Sequence, residues 1–474
     1  MDKKEFPRRR KRLMDMMGDD SIAILPTASV RIRNRDVEFP FRPDSDFFYL
    51  SGYPEPEAVL VLIPGRDNGE YVLFCRERDP KMETWHGRRA GLEGACDIYG
   101  ADDAFPIEDL DDILLGLLED RERIYYTMGN DPVFDQRVVH WVKQVRDKVR
   151  TGIHAPDEFI ALNHILHDMR LYKSRQEIKA IRQAARISAM AHRRAMQVCE
   201  PGMKEYQIEA ELMHEFMRHG ARSPAYPPIV GGGKNSCILH YTDNTDELEF
   251  GDVLLIDAAA EYDGYASDIT RTFPVNGEFT DEQLAIYEVV LAAQLAAIEQ
   301  VKPGNHWNDP HDAAVEVMTE GLLDLGILKG SKKTIIKEQK YSQFYMHRTG
   351  HWLGMDVHDV GDYKVDGEWR MLEPGMVMTI EPGLYFAPAR GLSKKWWNIG
   401  IRIEDDVLVT RDGRDVLSKD LPKQAPEGIS FTEAEVEAVL GGNAKRILEL
   451  GTDSSPPSRT AQRKEACPLM GRVS

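Results

Sequence analysis

The segment "DVLLIDAAAEYDGYASDITRTF", residues 252–273, predicts two strands joined by a tight turn. The apolar run before Asp257 is typical of a buried strand, and the Asp-Gly dipeptide at 263–264 is favoured at the tip of a β-hairpin. If that dipeptide is the centre of the turn, Asp257 lies opposite Thr270, and Asp268 is its diagonal neighbour on the same face. Both carboxylates would then converge on one point. A slip of one residue would separate them, so two unrelated surface acids remain the alternative interpretation.

Two further strand-like segments carry glutamates. The segment "GMVMTIEPGLYF" (375–386) runs into Glu381 and a Pro-Gly turn, and "IGIRIEDDVLVT" (399–410) alternates so that Arg402 and Glu404 share one face. Each glutamate by itself is more simply explained as a surface-facing strand residue. Together with the two aspartates, however, they make four carboxylates in buried-looking strands. Such an oxygen-rich set is suited to two divalent cations such as manganese, cobalt or zinc.

Three of the 14 histidines lie within "HRTGHWLGMDVHD", residues 347–359. His347 and His351 are four residues apart, like the pair of the H-E-x-x-H helix of zinc peptidases. An arginine occupies the position of the glutamate base of that motif, and Gly350 and Gly354 disfavour a helix. We therefore predict an irregular segment in which one histidine completes the metal shell begun by the carboxylates. Two close metal ions can share a water, lower its pKa and orient a substrate carbonyl.

The composition of the 474-residue chain is that of a globular protein of about two domains. Hydrophobic residues make up 42% and charged residues 29%, and the formal net charge of −19 argues against nucleic-acid binding, which needs a basic surface. The five dispersed cysteines predict reduced thiols. No early apolar signal segment and no bilayer-length apolar stretch is present. We therefore expect a soluble, cytoplasmic protein without a nucleic-acid or membrane partner.

Strand-like and helix-like segments are mixed in the first third of the chain. The apolar runs "EAVLVLI" (57–63) and "EYVLFCRE" (70–77) are flanked by turn residues, as buried strands are. This pattern predicts an α/β N-terminal domain over residues 1–172. The basic run "RRRKR" (8–12) precedes apolar residues, and we interpret it as the solvated face of an amphipathic helix rather than as a targeting signal.

A long helical pattern begins after Ser174, with Glu177 as its capping-box partner. Helices laid against antiparallel strands then predict an α+β catalytic domain over residues 173–440. The glycine run "VGGGKN" (230–235) lacks the spacing of a phosphate-binding loop, and we interpret it as a loop that shapes a pocket. Residues 441–474 are rich in Ser, Pro, Thr and Gly and predict a disordered tail.

The order of these acids and histidines resembles the metal set of the pita-bread metallopeptidases, which include methionine aminopeptidase, prolidase and aminopeptidase P. The bacterial Xaa-Pro aminopeptidases are the closest resemblance, and it covers roughly residues 5–435. It is carried in the C-terminal part by "CILHYTDN", "HWLGMDVHDVG", "LEPGMVMTIEPGLY" and "GIRIEDDVLV". In the N-terminal part it is carried by "FPFRPDSDFFYLSGYPEPEAVLVLI" and "WHGRRAG".

The resemblance implies a pita-bread fold for the catalytic domain and a site for two divalent ions, most often Mn²⁺, with Co²⁺ or Zn²⁺ as possibilities. The implied metal ligands are Asp257, Asp268, His351, Glu381 and Glu404. The implied catalytic residues are Glu381, His240, His347 and His358. The three histidines would also bind substrate, together with Tyr385, Arg402 and Trp85. Trp85 would reach the site of a neighbouring subunit, which implies a dimer or tetramer.

The implied activity is removal of the N-terminal residue from peptides with proline at the second position, by attack of a hydroxide that bridges the two metal ions. Prolidases share all five ligands and cut only dipeptides, so an Xaa-Pro dipeptidase is an open alternative. Phosphotriester hydrolysis, a side activity in the superfamily, also stays open. Some pita-bread proteins have lost their ligands and act as binding modules. All five ligands are present in this chain, which disfavours that reading.

Overall fold

The computed structural model of the chain describes residues 2–423. The predicted disordered tail at 441–474 lies outside the described residues, and so does the end of the domain predicted over 173–440. The short connection between the helices that end at Leu171 and begin at Arg175 contains the predicted boundary at 172/173. A division into two domains at that boundary stays a prediction.

The N-terminal part is a mixed sheet with helices on both faces. Its strands are β1 (Ser21–Pro26), β2 (Ile32–Asn34), β3 (Val37–Glu38), β4 (Val59–Leu62), β5 (Tyr71–Cys75), β6 (Asp103–Pro106), β7 (Arg123–Tyr125) and β8 (Glu158–Ile160). Its helices are α1 (Glu5–Met17), α2 (Ser45–Ser51), α3 (Pro80–His86), α4 (Gly91–Asp97), α5 (Leu110–Leu118), α6 (Pro132–Asp147) and α7 (Leu162–Leu171). Six strands form one sheet in the order β6-β5-β4-β1-β7-β8, and β2 and β3 form a separate hairpin.

The central strands of this sheet are buried on both faces, which explains their continuous apolar sequences. The two predicted strands at 57–63 and 70–77 are confirmed as β4 and β5. One face of the sheet packs on α5 and α6. The opposite face packs on α1 and α2, and its apolar cluster continues into the C-terminal part through Ile181, Leu353 and Val377.

The C-terminal part combines helices with short antiparallel strands. Its helices are α8 (Arg175–Val198), α9 (Glu205–Arg218), α10 (Asp281–Gln300), α11 (Asp309–Asp324) and α12 (Lys332–Lys337). Its strands are β9 (Ser223–Pro224), β10 (Ile229–Gly232), β11 (Val253–Asp257), β12 (Ala260–Tyr262), β13 (Tyr265–Ala266), β14 (Thr270–Pro274), β15 (Lys364–Val365), β16 (Glu368–Trp369), β17 (Val377–Ile380), β18 (Gly383–Phe386), β19 (Ile399–Arg402), β20 (Asp405–Thr410) and β21 (Gly413–Val416). The predicted capping box of Ser174 and Glu177 is confirmed at the start of α8.

The strands of the C-terminal part pair in several small sheets. The orders are β10-β11-β14, β13-β12-β9, β17-β20-β21 and β18-β19, and each of these pairings is antiparallel. The predicted turn is confirmed: Asp263 and Gly264 have φ of 53° and 78°, the left-handed values that a two-residue hairpin turn requires. The predicted pairing of Asp257 with Thr270 is confirmed as well.

The prediction for the basic run at 8–12 was wrong for two of its residues. The run lies on α1, but Arg9 and Arg10 are only 3% and 5% exposed. Arg9 donates to Tyr265 Oη at 3.0 Å and lies 3.4 Å from a carboxylate oxygen of Glu177. A buried guanidinium is tolerated when a carboxylate and hydrogen-bond acceptors satisfy it. These contacts anchor α1 in the C-terminal part.

The remaining general expectations concern thiols and membranes. The four cysteines among the described residues, Cys75, Cys96, Cys199 and Cys237, are free, as predicted. Within residues 2–423 every helix is too short or too polar to serve as a bilayer span.

Candidate active site

Four acidic residues of the C-terminal part lie where strands end. Asp257 is the last residue of β11, Glu381 directly follows β17, and Glu404 directly precedes β20. Asp268 lies two residues before β14, which pairs with β11 through Asp257 and Thr270. Glu404 is tied to the same strand end, because its backbone N–H donates to the Thr270 carbonyl at 3.1 Å. Strand pairing therefore brings together acids that are far apart in the sequence.

A tyrosine links the first two acids. Tyr226 Oη lies 2.6 Å from Asp257 Oδ1 and 2.5 Å from Asp268 Oδ1. A phenol has one hydrogen to donate, so it can satisfy only one of these carboxylates at a time. The two aspartates therefore share one pocket, as the turn at 263–264 predicts.

Asp268, His351 and Glu404 present ligand atoms that all lie within 4.8 Å of one another. His351 Nε2 is 3.2 Å from Asp268 Oδ2. Its other ring nitrogen, Nδ1, is 2.9 Å from the Trp352 carbonyl and donates to it. A hydrogen bond of this kind fixes the tautomer of a metal-binding histidine and leaves the second nitrogen free to bind.

Glu381 completes this set of acids. Its Oε1 is 3.7 Å from His351 Nε2, and its Oε2 is 3.8 Å from His347 Nδ1. Burial raises the pKa of Glu381 to about 7, although the charges of His351 and Arg402 act in the opposite direction. A carboxyl group with a pKa near neutrality can both accept and release a proton during a reaction.

The protein alone leaves the charges of this site poorly balanced. Burial and the neighbouring carboxylates raise the pKa of Glu404 well above its usual range. Burial also raises the pKa of Asp257, against the charge of Arg402. Four carboxylates around one guanidinium are costly to ionise in a buried pocket. Bound divalent cations would remove that repulsion, so the residues fit a metal centre.

Arg402 connects the acids to the residues around them. Its side chain is buried, and it donates to Asp257 Oδ2 at 2.6 Å and to Tyr385 Oη at 2.9 Å. Its Nε donates to Thr270 Oγ1 at 3.1 Å, and that hydroxyl donates to Glu404 Oε2 at 2.7 Å. Arg402 and Thr270 thus hold two of the carboxylates in fixed orientations.

His347 lies beside this network. Its Nδ1 donates to the Arg348 carbonyl at 2.7 Å, so its Nε2 accepts from Tyr385 Oη, 2.9 Å away. Burial, followed by the charge of Arg402, lowers the pKa of His347 to about 3. His347 is therefore a neutral residue that can accept or relay a hydrogen bond near the acids.

His358 and His240 lie at the exposed side of the site. The His358 ring is edge-on to that of His351, with centroids 4.3 Å apart. Burial and the charge of His351 lower the pKa of His358. His358 therefore lies beside the candidate ligand His351 on the solvent side of the acids.

Trp85 is not among the residues that gather here. It lies on α3 of the N-terminal part and is 81% exposed. A cavity of about 600 Å³ does open beside His358, and residues of both parts line it. The lining includes Phe41, Arg42, Phe48, Arg222 and Val357.

Sequence reasoning missed Tyr226 and two supporting residues. Tyr226 lies in "SPAYPPIV", where the flanking prolines indicate an irregular segment but give no sign of a polar partner. Thr270 entered the prediction only as a pairing partner, although its hydroxyl contacts Glu404. Glu205 is fully buried in α9 and supports the loop that carries His240.

The fold and site define the class: a metallopeptidase with an additional α/β domain before its catalytic domain. The family model for metallopeptidase family M24 matches residues 179–411, and that for the aminopeptidase P N-terminal domain matches residues 6–125. The chain belongs to metallopeptidase family M24, and within it to the Xaa-Pro aminopeptidases. The predicted α+β pita-bread architecture behind an α/β domain is thereby confirmed, and the chain is a metalloaminopeptidase.

Three individual comparisons support this assignment. Xaa-Pro aminopeptidase of Escherichia coli (strain K12) is 45% identical over 426 residues, which are 90% of this chain and 96% of the relative. The structure of aminopeptidase PepP of Pseudomonas aeruginosa is 57% identical with a TM-score of 0.89, covering 94% of this chain and 99% of that one. Zinc-substituted E. coli aminopeptidase P in complex with product is 44% identical with a TM-score of 0.87, covering 93% and 98%. The dipeptidase alternative is not favoured by these similarities.

Proposed function

We propose that this metalloaminopeptidase removes the N-terminal residue from peptides with proline at the second position. The convergence of four carboxylates and His351 Nε2 in one pocket, with His347 and His358 beside it, carries the proposal. The names of the similar proteins supply the specificity for proline.

Each chain would bind two divalent ions, with manganese as the expected metal. The residues that would hold them are Asp257, Asp268, His351, Glu381 and Glu404. When bound, such a pair of ions lowers the pKa of a water and polarises the carbonyl of the scissile bond. The repulsion among the buried acids supports this ligand set.

The protein side chains would handle protons and position the substrate. Glu381 would take the proton of the attacking water and pass it to the nitrogen of the leaving proline, a role supported by its pKa of about 7. His358 or His240 would donate to the oxygen that becomes negative in the tetrahedral state. Asp257 would receive the free amine of the substrate, which restricts cleavage to the first residue.

The neighbours of His347 would position the proline. The proline ring has a fixed φ and no N–H, so apolar ring contacts rather than hydrogen bonds would recognise it. Tyr385 and His347 offer ring surfaces beside the acids, and Arg402 holds Tyr385 in place. The cavity beside His358 would accommodate residues beyond the proline, which supports an aminopeptidase rather than a dipeptidase.

We also propose a cytoplasmic homo-oligomer, a dimer or a tetramer, in which Trp85 reaches the site of a neighbouring subunit. The exposure of this indole on α3 supports the proposal, because covering a large aromatic side chain with a partner stabilises the assembly. Sedimentation of the wild type and Trp85→Ala would test it. We expect the variant to form a smaller assembly or to have a lower kcat than the wild type. A wild type that sediments as a monomer would contradict the proposal.

Three peptides test the activity: an X-Pro tripeptide, a tripeptide that differs from it only in the second residue, and a dipeptide that differs from it only in length. We expect manganese-loaded enzyme to release the first residue from an X-Pro tripeptide much faster than from the matching X-Ala tripeptide. A matching X-Pro dipeptide should be a poorer substrate than the tripeptide. Equal rates for proline and alanine, or full activity in the presence of a chelator, would contradict the proposal.

A further inference from the structure

A cluster of buried charges lies behind the segment that carries His351 and His358. Arg170, at the end of α7, donates to Asp46 Oδ1 at 2.6 Å, to Asp359 Oδ1 at 2.6 Å and to Asp356 Oδ2 at 2.8 Å. Lys173 donates to the other oxygen of Asp359 at 2.9 Å. The side chains of Arg170, Lys173 and Asp359 are at most 3% exposed. These five residues are called the Arg170 cluster below.

The Arg170 cluster joins three separate parts of the chain. Asp46 lies on α2 of the N-terminal part, Arg170 and Lys173 lie around the connection between α7 and α8, and the other two aspartates flank His358. Buried ion pairs add little net stability compared with apolar residues of the same volume, but they define geometry when each charge is held against an opposite charge. The cluster is therefore better suited to fixing a position than to increasing stability.

The position that it fixes is that of the segment from residue 351 to residue 359. The Asp359 backbone N–H donates to the Trp352 carbonyl at 2.9 Å, and the same carbonyl accepts from His351 Nδ1. The segment closes tightly around the Asp359 carboxylate. A Cβ at Gly354 would lie 2.0 Å from Asp359 Oδ2, so only glycine fits there. The carboxylate is thus held by the two cations and enclosed by the chain that carries both histidines.

We infer that the Arg170 cluster is a positioning device for His358 and, through Trp352, for His351. Asp46 then connects the N-terminal part to the catalytic centre, because it orients Arg170, which in turn holds both aspartates beside His358. The inference rests on the proposed function for its catalytic consequence. It concerns positioning residues: Asp356 lines the cavity beside His358, but no member of the cluster is placed against the metal ions or the scissile bond.

The variant Asp46→Asn tests this inference from the N-terminal side. It removes one charge from the partners of Arg170 and keeps the shape of the side chain. We expect kcat for an X-Pro tripeptide to fall about tenfold, as for other residues that support a site from behind, with KM little changed. Asp168→Asn is the matched control, because Asp168 on α7 forms an ion pair with Arg370 but is 52% exposed and lies outside the cluster. It should behave as the wild type does.

A double-mutant cycle separates positioning from a general loss of stability. In the His358→Ala background, Asp46→Asn should cause a clearly smaller fold-loss of kcat than in the wild type, because one of the two histidines through which it acts is already absent. An equal fold-loss of kcat in both backgrounds would overturn the inference. If Asp46→Asn does not fold, Asp356→Asn replaces it in the cycle, because the Asp356 carboxylate is 37% exposed and tolerates the change more easily.

Hydrogen exchange distinguishes failure of this inference from failure of the proposed function. Asp46→Asn should accelerate amide exchange at 352–359 and leave exchange at 233–246, the loop of His240, unchanged. Unchanged exchange at 352–359 would overturn the inference whatever the activity. If the wild type fails to cleave X-Pro peptides but the variant shows the local acceleration, the proposed function is wrong and the positioning role stands.

Discussion

The acids of the site are carried by strands, whereas its histidines are carried by irregular segments. Asp257 ends β11, Glu381 directly follows β17 and Glu404 directly precedes β20, and backbone pairing fixes their positions. His240 and His358 lie in segments without strand pairing. A strand end is held by a ladder of backbone hydrogen bonds, but an irregular segment depends on individual side-chain contacts. The strand-borne acids and these two histidines therefore rely on different kinds of support.

The two irregular segments are also supported differently from each other. The His358 segment depends on the Arg170 cluster, which contains charges of both signs and reaches the N-terminal part. The His240 segment depends on one fully buried side chain, that of Glu205, whose carboxylate accepts hydrogen bonds from four uncharged donors of the loop. The donors are Gly232 N at 2.8 Å, Asn235 Nδ2 at 3.0 Å, Tyr241 Oη at 2.7 Å and Asp246 N at 2.9 Å. One side chain thus organises the whole His240 loop.

The largest effect is expected from the strand-borne acids, with Glu404→Gln. Loss of this proposed metal ligand should lower kcat for an X-Pro tripeptide about a thousandfold, which corresponds to roughly 4 kcal/mol of transition-state stabilisation. The stability of the metal-free protein should instead increase, because the substitution replaces one of several mutually repelling carboxylates by a neutral amide. Steady-state kinetics and thermal unfolding after chelation measure the two quantities.

The matched comparison for Glu404→Gln is the wild type with and without metal. Manganese should raise the unfolding temperature of the wild type by more than that of the variant, since only the wild type has the full ligand set. A metal-free variant that unfolds at a clearly lower temperature than the metal-free wild type would contradict the interpretation that these buried acids repel one another when no metal is bound.

A smaller loss is expected from the support of a loop, with Glu205→Gln. An amide has one acceptor oxygen, so its NH₂ group would face donors such as Tyr241 Oη and leave them unsatisfied. We expect a loss of stability of about 2 to 3 kcal/mol. Because Tyr241 adjoins His240, kcat should also fall, by roughly 10- to 100-fold. Chemical denaturation and steady-state kinetics measure the two effects.

The control for Glu205→Gln is Glu209→Gln on the same helix. Glu209 accepts a single hydrogen bond in this region, from Asn244 Nδ2 at 2.8 Å, and Gln can still accept it. The control should retain most of the activity and stability. If both variants lose activity equally, α9 contributes through general packing rather than through the hydrogen bonds of Glu205.

The contrast between strands and loops also explains how much the sequence could predict. Asp257 and Asp268 were predicted to converge from the hairpin pattern, because strand pairing relates positions through a local turn. The histidine roles came only from the resemblance to a family. Tyr226 and the Arg170 cluster escaped prediction, since their partners are distant: Arg170 and Asp359 are 189 residues apart. A side-chain contact over such a separation leaves no periodic pattern.

The error at the basic run has the same physical origin. A run of positive charges is usually solvated, and nothing near Arg9 in the sequence indicates a buried partner. Its partners, Tyr265 and Glu177, are on the C-terminal part. Composition and periodicity therefore identify the elements of this protein, whereas the long-range contacts of charged side chains determine how its catalytic segments are held.

A moderate effect is expected from Thr270→Val, which tests the strand-borne support of a ligand. The substitution keeps the branched shape but removes the hydroxyl that donates to Glu404 Oε2 at 2.7 Å and accepts from Arg402. We expect metal affinity or kcat to fall about tenfold. Thr272→Val on the same strand is the control, because its hydroxyl contacts only the backbone of Arg402. A metal titration that cannot distinguish the two variants would contradict the role of Thr270.

The smallest effect on activity is expected from His192→Gln, which acts on the strand end from behind. His192 is fully buried in α8, and its Nε2 donates to the Ala258 carbonyl at 2.9 Å, next to Asp257. Burial lowers its pKa to about 4. Between pH 6.5 and 4 the unfolded chain therefore binds a proton at this residue that the folded protein does not. The stability that this difference provides is fully present above pH 6.5 and falls as the pH drops.

Glutamine can keep the N–H donor to Ala258 but does not titrate in this range. Replacing His192 should therefore remove roughly 2 kcal/mol from the stability that the metal-free protein loses between pH 7 and pH 5. Urea unfolding at the two pH values measures the difference, and kcat at neutral pH should stay within about twofold of the wild type. Equal pH dependence in the two proteins would show that His192 titrates alike in the folded and unfolded states, which would contradict its role as a neutral support of the strand end.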